Sequence, residues 1–375
     1  MTIPFKKFLN AFFICCLLSM ASWGAETVFS AEIRAFSPAN LIIYPQDERG
    51  SAHEQILQII NEAQSTIDLG AYKIEDPRIA DALIKSLERK VVVRVILEKN
   101  HYQHEFNKDS QDLVLEQLLK AGAIVHERPD ELKEKYPGGH MHARYFIVDG
   151  EKLVLTTGNF DQTTFDHCRD FAIVIHKNEE NKGQFQLIQE IFERDWDNNP
   201  TAPSTEPTVI LGPEGQREKI ATFLNTATQT LQIYQQYCND PDMADLLIAL
   251  HKKGLSIQLL MMAYPTSYDK DPNQVTQDRL ADAGIEVKLV NPDDQIYMHA
   301  RGIILDNKVA LIGTTSLSPP SLDQNRELNV VIKGKTVDAL AQQFAKDWSQ
   351  ALSLEKGRQE AKEKKVDWTQ KFSKK

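Results

Sequence analysis

Along the first half of the chain, short apolar runs alternate with stretches in which apolar residues recur every three or four positions. Short apolar runs predict strands at residues 65–72, 91–97, 123–125, 145–148, 153–156 and 171–175. Apolar residues spaced three and four apart predict helices at residues 51–63, 76–87, 109–120 and 184–196. A polar stretch with Pro and Gly at 128–139 predicts a loop. Strands that alternate with helices predict an α/β fold around a mostly buried sheet.

The same order of elements returns in the second half. Apolar runs at residues 231–237 and 255–261 repeat the first two main strands, and an Asp-Pro pair opens a helix in both halves. We therefore expect two homologous lobes with mixed sheets, each layered α-β-α and related by a pseudo-two-fold axis. The first lobe, the linker and the second lobe are predicted at residues 40–198, 199–208 and 209–353.

One motif organises both copies. Met-His-Ala-Arg occurs at residues 141–144 and again at 298–301, and each copy continues into four mostly apolar residues and an aspartate. An acid then follows each histidine at the same sequence distance. Matched spacing of several residue types is a strong sign of an internal repeat. The two histidines, aspartates and later acids are His142, His299, Asp149, Asp306, Asp170 and Glu327.

The first copy could assemble a complete phosphate-binding set at neighbouring strand ends. His142 and Arg144 share one face of a strand, because side chains alternate along strands. Asp149 falls on the other face, so we assign it, like Asp306, to holding a turn. The side chains expected to meet in this copy are His142, Arg144, Thr157, Asn159 and Asp170.

These residue types suit a phosphodiester. The guanidinium offers paired donors to phosphate oxygens, and the hydroxyl and amide add neutral donors. A carboxylate on the second nitrogen of a histidine orients the ring and supports its charge. Two histidines at one phosphate can then act as nucleophile and general acid, without a metal or other cofactor. The equivalent set in the second copy is His299, Arg301, Thr314, Ser316 and Glu327.

The duplicated motif resembles that of the phospholipase D superfamily, which has His-x-Lys-x4-Asp, then Gly-Ser-x-Asn and a later acid. The resemblance covers about residues 40–350 and implies two lobes with one active site between them. It also implies a phosphohistidine intermediate and transfer of the phosphoryl group to water or an alcohol. By motif match His142 and His299 are nucleophile and general acid, in that order because the first copy keeps Asn159.

The departures from that motif concern both copies. Arg144 and Arg301 stand where the family has lysine, and Thr157 and Thr314 stand at the serine positions. Ser316 replaces the second asparagine. Arginine keeps the charge but is bulkier than lysine. These changes leave open a slower enzyme, a different substrate, or a catalytically silent protein that binds a phosphate or a partner.

The N-terminal sequence predicts where the protein works, and the net charge favours some classes of substrate over others. Residues 1–25 have a basic start, an apolar core and a small-residue exit, which predicts a signal peptide and a secreted or periplasmic protein. The formal net charge is −10, and residues 354–375 form a basic tail. An acidic body disfavours nucleic acid, so we expect a phospholipid or membrane surface as partner and a monomer as the working unit. The alternative is an exported endonuclease, whose substrate would be nucleic acid.

Several residues have competing interpretations. Cys168 and Cys238 are either a cross-lobe disulfide or two buried thiols. The motif arginines could instead form structural ion pairs with the later acids. The pairs His140/His142 and His101/His104 lack the further ligands that a metal site needs, so no metal is predicted.

Overall fold

The computed structural model describes residues 35–101, 110–200, 206–262, 271–291 and 296–363. The predicted signal peptide lies outside these residues, as do part of the linker, most of the basic tail, and His104. The described residues from Ala35 onward belong to one compact unit. The lobe boundaries given above stay predictions. Within the described residues, no helix is long and apolar enough to cross a bilayer.

The first half carries a seven-stranded mixed sheet. Its strands run parallel in one part and antiparallel in the other, in the spatial order β1-β10-β8-β7-β4-β5-β6. Short β2 and β3 pair with each other, and β9 belongs to neither set. The strands of this half are β1 (Asn40–Ile43), β2 (Gln46–Asp47), β3 (Gly50–Ser51), β4 (Thr66–Ala71), β5 (Val92–Leu97), β6 (Ile124–Glu127), β7 (Tyr145–Val148), β8 (Lys152–Thr156), β9 (Cys168–Arg169) and β10 (Phe171–His176).

The second half repeats that sheet position by position. Its order is β11-β18-β17-β16-β12-β13-β14, with β19 added at the edge. The strands are β11 (Val209–Leu211), β12 (Thr230–Tyr234), β13 (Ser256–Met261), β14 (Glu286–Leu289), β15 (Tyr297–Met298), β16 (Gly302–Leu305), β17 (Val309–Gly313), β18 (Leu328–Lys333) and β19 (Leu352–Ser353). The predicted fold class, with two multi-stranded mixed sheets, is confirmed.

Helices cover the sheets and begin where the sequence supplies caps. Asp76 and Asp240 cap equivalent helices that each start with proline, and Ser51 forms a capping box with Glu54. The described helices are α1 (Ala52–Asn61), α2 (Pro77–Glu88), α3 (Ser110–Ala121), α4 (Asp130–Lys135), α5 (Gln162–His167), α6 (Lys182–Trp196), α7 (Gln216–Leu224), α8 (Pro241–Lys252), α9 (Gln274–Asp282), α10 (Pro319–Asp323), α11 (Lys335–Gln350) and α12 (Leu354–Glu363).

A single apolar cluster joins the two halves. It contains buried side chains from both sheets and from α6 and α11. Phe171 of the first half and Tyr234 of the second pack with ring centroids 5.2 Å apart, and Phe344 packs on Tyr234 at 4.9 Å. Burial of this shared apolar surface holds the halves together. The ends of the strands in the two halves are therefore held in fixed positions relative to one another.

The structure contradicts one prediction about local structure and decides between two alternatives that the sequence left open. The stretch 128–139, expected to be a loop, contains α4, whose acidic first turn and basic last turn suit the helix dipole. Cys168 and Cys238 are both buried free thiols rather than a disulfide. Cys168 pairs through its backbone with Tyr297, whereas Cys238 pairs with Leu317, so they occupy different places.

The two motif aspartates bind the turns that precede equivalent strands. Asp149 accepts hydrogen bonds from the amides of residues 64, 65 and 66, and Asp306 from those of residues 228, 229 and 230. Both aspartates have positive φ, which aspartate tolerates better than most residues. Both carboxylates therefore tie the strand β4 or β12 to the hairpin that follows the motif.

Candidate active site

Short backbone pairings across the two halves bring the motifs together. β15, which ends just before His299, pairs in parallel with β9, and Met141 forms an equivalent bridge with Arg326. The His142 amide donates to the Arg326 carbonyl at 2.9 Å, and the His299 amide to the Arg169 carbonyl at 3.2 Å. Each motif histidine therefore lies beside the residue that precedes the other half's acid.

The histidine–acid pairs are crossed between the halves. His142 Nδ1 lies 2.8 Å from Glu327 Oε1, and His299 Nδ1 lies 2.9 Å from Asp170 Oδ2. The expectation that each half assembles its own set is therefore wrong for the acids. The cause is the cross-half backbone pairing, which sequence spacing does not reveal. One shared site results, with a carboxylate behind each imidazole.

Each carboxylate has its own set of hydrogen-bond donors. Thr157 donates to Asp170 at 2.5 Å. Ser321 donates to Glu327 at 2.6 Å, and Asn325 contacts the same oxygen at 3.3 Å. Sequence reasoning missed Ser321 and Asn325. Their only signal was proximity to Glu327 in a polar stretch.

The equivalent hydroxyl of the second half plays a partly different role. Thr314 accepts a hydrogen bond from the Leu328 amide at 3.1 Å, and its side chain also interacts with Glu327. Thr157 likewise accepts from the Phe171 amide, at 3.0 Å, while it donates to Asp170. Both threonines therefore fix the start of the strand that follows the acid.

Arg144 keeps an unused donor inside the site. Its Nε donates to Asn159, its Nη2 donates to His142 Nε2 at 2.8 Å, and its guanidinium lies 5.6 Å from the ring centre of Tyr72. Its Nη1 is buried, and no hydrogen-bond partner for it occurs among the described residues. A buried donor without an acceptor is costly, so this atom is suited to an incoming anion.

Arg301 is bound on every side. Its Nε donates to Ser316 at 3.1 Å, its Nη2 to Gln236 at 2.5 Å, and its Nη1 to the Thr157 carbonyl at 3.0 Å. Nη1 also reaches the carbonyl of His299 at 2.9 Å. Arg301 is therefore held in place by the protein itself, and it links the second motif to the first half. Sequence reasoning did not identify Gln236.

The alternative in which the motif arginines form ion pairs with the later acids is not what the described residues show. Neither Arg144 nor Arg301 has a nitrogen within 4.0 Å of an oxygen of Asp170 or Glu327 in that part of the chain. The carboxylates face the histidines instead. The two guanidiniums thus remain inside the site as positive charges.

Burial and charge set the protonation states. Burial lowers the pKa of His142 to about 3 and that of His299 to about 4, against opposing attraction from Glu327 and Asp170. Burial, with repulsion from Arg301, lowers the pKa of Arg144 to about 9. Burial would raise the pKa of Glu327, but His142 and the hydrogen bonds hold it below its usual range. Both imidazoles are therefore neutral at pH 7 in the free protein.

Two further ion pairs, also crossed, hold the acids in position. Arg326, next to Glu327, donates to Asp195 of α6 at 2.8 and 2.6 Å, and Arg169, next to Asp170, donates to Asp347 of α11 at 2.9 and 3.1 Å. Tyr234 also donates to Asp347, at 2.8 Å. Sequence reasoning did not assign these pairs, although all four charged residues occupy matched positions in the repeat.

No group of three or more histidine, cysteine or acidic side chains that could hold a metal ion occurs within the described ranges. His140 lies beside the site: its ring centre is 5.7 Å from that of Tyr72, and the ring centre of His142 is 5.2 Å from the same Tyr72 ring. His101 contacts Gln111 through its ring, and His104 lies outside the described residues.

Fold and site together define a class: duplicated α/β chains that place two His-x-Arg motifs and two crossed acids at one site. The chain belongs to the family described as "Cardiolipin synthase, PLD-like domain", which matches residues 56–196 and 220–348. The predicted resemblance to the phospholipase D superfamily is thereby confirmed.

Curated relatives have names from the same family. The chain is 30% identical over 181 residues to a mitochondrial cardiolipin hydrolase of Homo sapiens, covering 48% of this chain and 61% of that protein. It is 24% identical over 346 residues to cardiolipin synthase 1 of Bacillus anthracis, covering 80% and 65%. A mitochondrial cardiolipin hydrolase of Chlamydomonas reinhardtii is 27% identical over 128 residues, covering 34% and 54%. The chain spans only about half to two thirds of the length of these relatives.

Solved structures show the same fold. Phosphatidylserine synthase from Haemophilus influenzae superposes with a TM-score of 0.66 at 13% identity, covering 88% of this chain and 92% of that one. Polyphosphate kinase from Porphyromonas gingivalis gives 0.58 at 15% identity, covering 81% and 46%. At these identities the likeness concerns the fold alone.

Proposed function

We propose that the protein is an exported phosphodiesterase that cleaves a phospholipid through a phosphohistidine intermediate, without a metal. The observation that carries this proposal is the pair of crossed histidine–carboxylate contacts around the free Nη1 of Arg144. Two oriented imidazoles and an unused guanidinium donor are what an in-line attack on a phosphodiester requires. A monomer suffices, because both halves belong to one chain.

The hydrogen bonds of His142 favour it as the nucleophile. Arginine can only donate, so the contact from Arg144 makes His142 Nε2 an acceptor. The proton then lies on Nδ1, facing Glu327. A substrate phosphate that takes over the Arg144 donors frees the Nε2 lone pair for attack on phosphorus. Glu327 stabilises the imidazolium that forms.

His299 would supply the proton to the leaving oxygen. The N–P bond forms at His142 Nε2 as the P–O bond to the leaving alcohol breaks, and the proton of His299 passes to that oxygen. The negative charge of a bound phosphate raises the pKa of His299 from its low value in the free protein, while Asp170 holds its Nδ1. Water, deprotonated by neutral His299, then cleaves the N–P bond, and an alcohol could replace it.

Phospholipid is the proposed substrate for two reasons. Relatives in the family are named for cardiolipin hydrolysis or synthesis. The chain's net charge of −10 opposes the phosphate-rich surface of nucleic acid. Export rests on the sequence of residues 1–25 alone.

The test is turnover by residues 26–375 in excess chelator, on a chromogenic diester, cardiolipin vesicles and single-stranded DNA. Activity on lipid that His142→Ala and His299→Ala both lose supports the proposal. Rapid quenching of His299→Ala with a chromogenic substrate should trap an acid-labile phosphorus adduct on His142. Preference for DNA would instead identify the endonuclease.

A catalytically silent phosphate-binding protein is the second candidate. Its support is Arg301, whose three side-chain nitrogens each donate to a partner inside the protein, where the family has a lysine. Phosphate binding that depends on Arg144, by a folded chain that turns over none of the three substrates, would favour this candidate.

A further inference from the structure

Two equivalent positions beside the motifs carry different side chains. Strand β4 pairs with β7, and β12 with β16, in matching antiparallel registers. These registers align Gly70 with Tyr234, so two residues further along the chain Tyr72 aligns with Gln236. The isolated bridges another two residues further also match between the halves. Residues 72 and 236 therefore occupy the same place in the two half-sites.

In the second half, Gln236 holds the guanidinium of Arg301. Its Oε1 accepts a hydrogen bond from Arg301 Nη2 at 2.5 Å, and its Nε2 donates to the Tyr297 hydroxyl at 3.1 Å. Its backbone carbonyl accepts from the Asn273 side chain at 3.1 Å. The amide is thus fixed from several sides, and it covers an edge of Arg301 that a phosphate would otherwise approach.

In the first half, Tyr72 meets Arg144 through its ring. The guanidinium carbon of Arg144 lies over the ring at 5.6 Å from its centre. The same ring lies edge-on to His142 and His140, with ring centres 5.2 and 5.7 Å apart. An aromatic face attracts a cation without accepting the hydrogen bonds in the plane of the guanidinium. The ring therefore holds Arg144 in place and leaves its donors available to a ligand.

The residues that flank these two side chains are exchanged as well. His140 and Tyr297 each stand two residues before a motif histidine. The first half thus combines an aromatic residue at position 72 with an imidazole, and the second combines an amide at position 236 with a phenol. A glutamine at position 72 would have a guanidinium on one side and the His140 ring on the other, as Gln236 has Arg301 and Tyr297.

The availability of an arginine determines which histidine can attack. A nucleophilic imidazole needs the scissile phosphate held next to its Nε2, and the arginine two residues further along is the nearby donor. Arg144 Nη2 lies 2.8 Å from His142 Nε2, so a phosphate bound to Arg144 lies beside that nitrogen. Arg301 Nη1 lies 3.3 Å from His299 Nε2, but it donates to two backbone carbonyls.

We propose that residues 72 and 236 decide which half supplies the nucleophile. Tyrosine leaves the neighbouring arginine to the phosphate, so the histidine of that motif attacks, and glutamine retains its arginine and leaves the other histidine as the general acid. Both are positioning residues, since each acts through an arginine. The inference rests on the proposed function, because it explains why His142 rather than His299 is the nucleophile.

Exchange of the two side chains should reverse the roles of the histidines. In the double variant Tyr72→Gln/Gln236→Tyr, called the exchanged protein, the N–P bond should form at His299 Nε2 as the P–O bond to the leaving alcohol breaks. The proton for that oxygen then comes from His142. Tyr72→Gln alone should lower kcat/KM by about 10- to 100-fold, because the phosphate must displace an amide from a charge-assisted hydrogen bond.

The position of the covalent adduct tests the inference directly. The wild-type and exchanged mature chains are mixed with a chromogenic diester, quenched under alkaline conditions and digested, and mass spectrometry locates the phosphorus. We expect it on His142 in the wild type and on His299 in the exchanged protein. Tyr72→Phe keeps the ring and should recover most of the activity that Tyr72→Gln loses. Gln186→Tyr, on the exposed face of α6, is the matched control for adding a tyrosine.

An adduct that stays on His142 in the exchanged protein, or that forms on neither histidine of a folded exchanged protein, overturns the inference. So does equal loss of activity in Tyr72→Gln and Tyr72→Phe. An adduct on His299 of the wild type overturns both this inference and the proposed order of the histidines. Thermal unfolding shows which variants fold. If the exchanged protein does not, Tyr72→Gln must lower kcat/KM at least about tenfold more than Tyr72→Phe.

Phosphate binding separates this inference from the proposed enzyme. Inorganic phosphate is titrated calorimetrically into the mature chain. In the wild type, Arg144→Gln should weaken binding at least about tenfold and Arg301→Gln less than about threefold, and in the exchanged protein this order should reverse. A reversed order in a protein that turns over no diester would refute the enzyme, but it would confirm that residues 72 and 236 choose the phosphate-binding arginine. The same order in both proteins overturns the inference.

Discussion

The two halves have the same topology but divide the work of the site unequally. In the first half, Arg144 is anchored at one edge by Asn159 and leaves Nη1 free. In the second, Arg301 donates to Gln236, Ser316 and two backbone carbonyls. The same motif thus produces one guanidinium available to a ligand and one that stabilises the protein.

The difference arises from the neighbours of each motif. Tyr72 in the first half and Gln236 in the second contact the respective arginines. An aromatic face leaves the donors at the guanidinium edge free, whereas an amide oxygen uses one. The two halves share the same sheet and motif, and a few side chains near the motif make the two half-sites different.

The largest expected effect comes from substituting either motif histidine, since each half contributes one of them to the shared site. His142→Ala and His299→Ala should each lower turnover of a chromogenic diester by about 10⁴-fold or more, because nucleophile and acid act as a unit. His176→Ala, at an exposed strand end, is the control and should keep full activity. A variant of either motif histidine with more than about a tenth of wild-type activity would contradict the two-histidine mechanism.

The crossed ion pairs should differ in strength between the halves. The side chains of Arg326 and Asp195 are 1% and 0% exposed, whereas those of Arg169 and Asp347 are 8% and 9% exposed. Arg326→Leu should lower the free energy of unfolding by about 3–5 kcal/mol by leaving a buried carboxylate unpaired. Arg169→Leu should cost less.

Urea unfolding measures both changes, and the double variant Asp195→Leu/Arg326→Leu should recover part of the loss. Equal effects from Arg326→Leu and Arg169→Leu would show that burial does not distinguish the two pairs.

Substitution of Arg144 should mainly lower activity, whereas substitution of Arg301 should mainly lower stability. Arg144→Gln should lower kcat/KM by about 10²–10³-fold, because it removes the free donor from the developing phosphate charge. Nη1 of Arg144 has no hydrogen-bond partner among the described residues, so the same change breaks fewer hydrogen bonds and should cost less stability than the loss of Arg301.

Arg301→Gln should instead destabilise the fold by about 2–3 kcal/mol, since it leaves buried acceptors unpaired. Parallel measurements of kcat/KM and urea unfolding for both variants test the distinction. Identical profiles for the two variants would refute the inequality of the halves.

The smallest effect expected from a single residue is the contribution of each motif histidine to the dependence of stability on pH. Each motif histidine has a pKa in the fold well below its ordinary value of about 6.5, so the unfolded chain binds more protons as pH falls. Between pH 7 and 5 each should lower the free energy of unfolding by about 2 kcal/mol. The lowered pKa of Glu327 contributes only below this window.

Urea unfolding at pH 7 and pH 5 measures this slope. His142→Asn, which keeps a donor for Glu327, should make it shallower. The same slope in the variant and the wild type would mean that His142 is already protonated at pH 5.

Much of the fold could be predicted from local pattern. β7, β8 and their counterparts β16 and β17 follow from apolar runs around an Asp-Gly or Asp-Asn turn, and the Asp-Pro pairs mark the starts of α2 and α8. These features depend on residues close in sequence. Helix α4 was missed because five of its six residues are charged, and its one apolar residue, Leu132, cannot set up an apolar period.

The sequence also predicted which residues belong to the site, but it did not predict which histidine pairs with which acid. The repeat identified both histidines, both arginines and both acids by their spacing. It suggested His142 with Asp170, whereas the fold pairs His142 with Glu327. The backbone bridge between Met141 and Arg326, together with the equivalent pairing of β9 with β15, decides this, and no local signal encodes it.

By itself, the sequence determined the alternation of strands and helices, the duplication, and which side chains carry the chemistry, because periodicity and motif spacing are local properties. Only the tertiary structure decided the crossed histidine–acid pairs, the free donor of Arg144 and the placing of Tyr72 and Gln236 against the motif arginines. Those features depend on atoms from distant segments that meet where two sheets share one apolar layer. Which donors find acceptors there depends on how side chains from the two halves pack together.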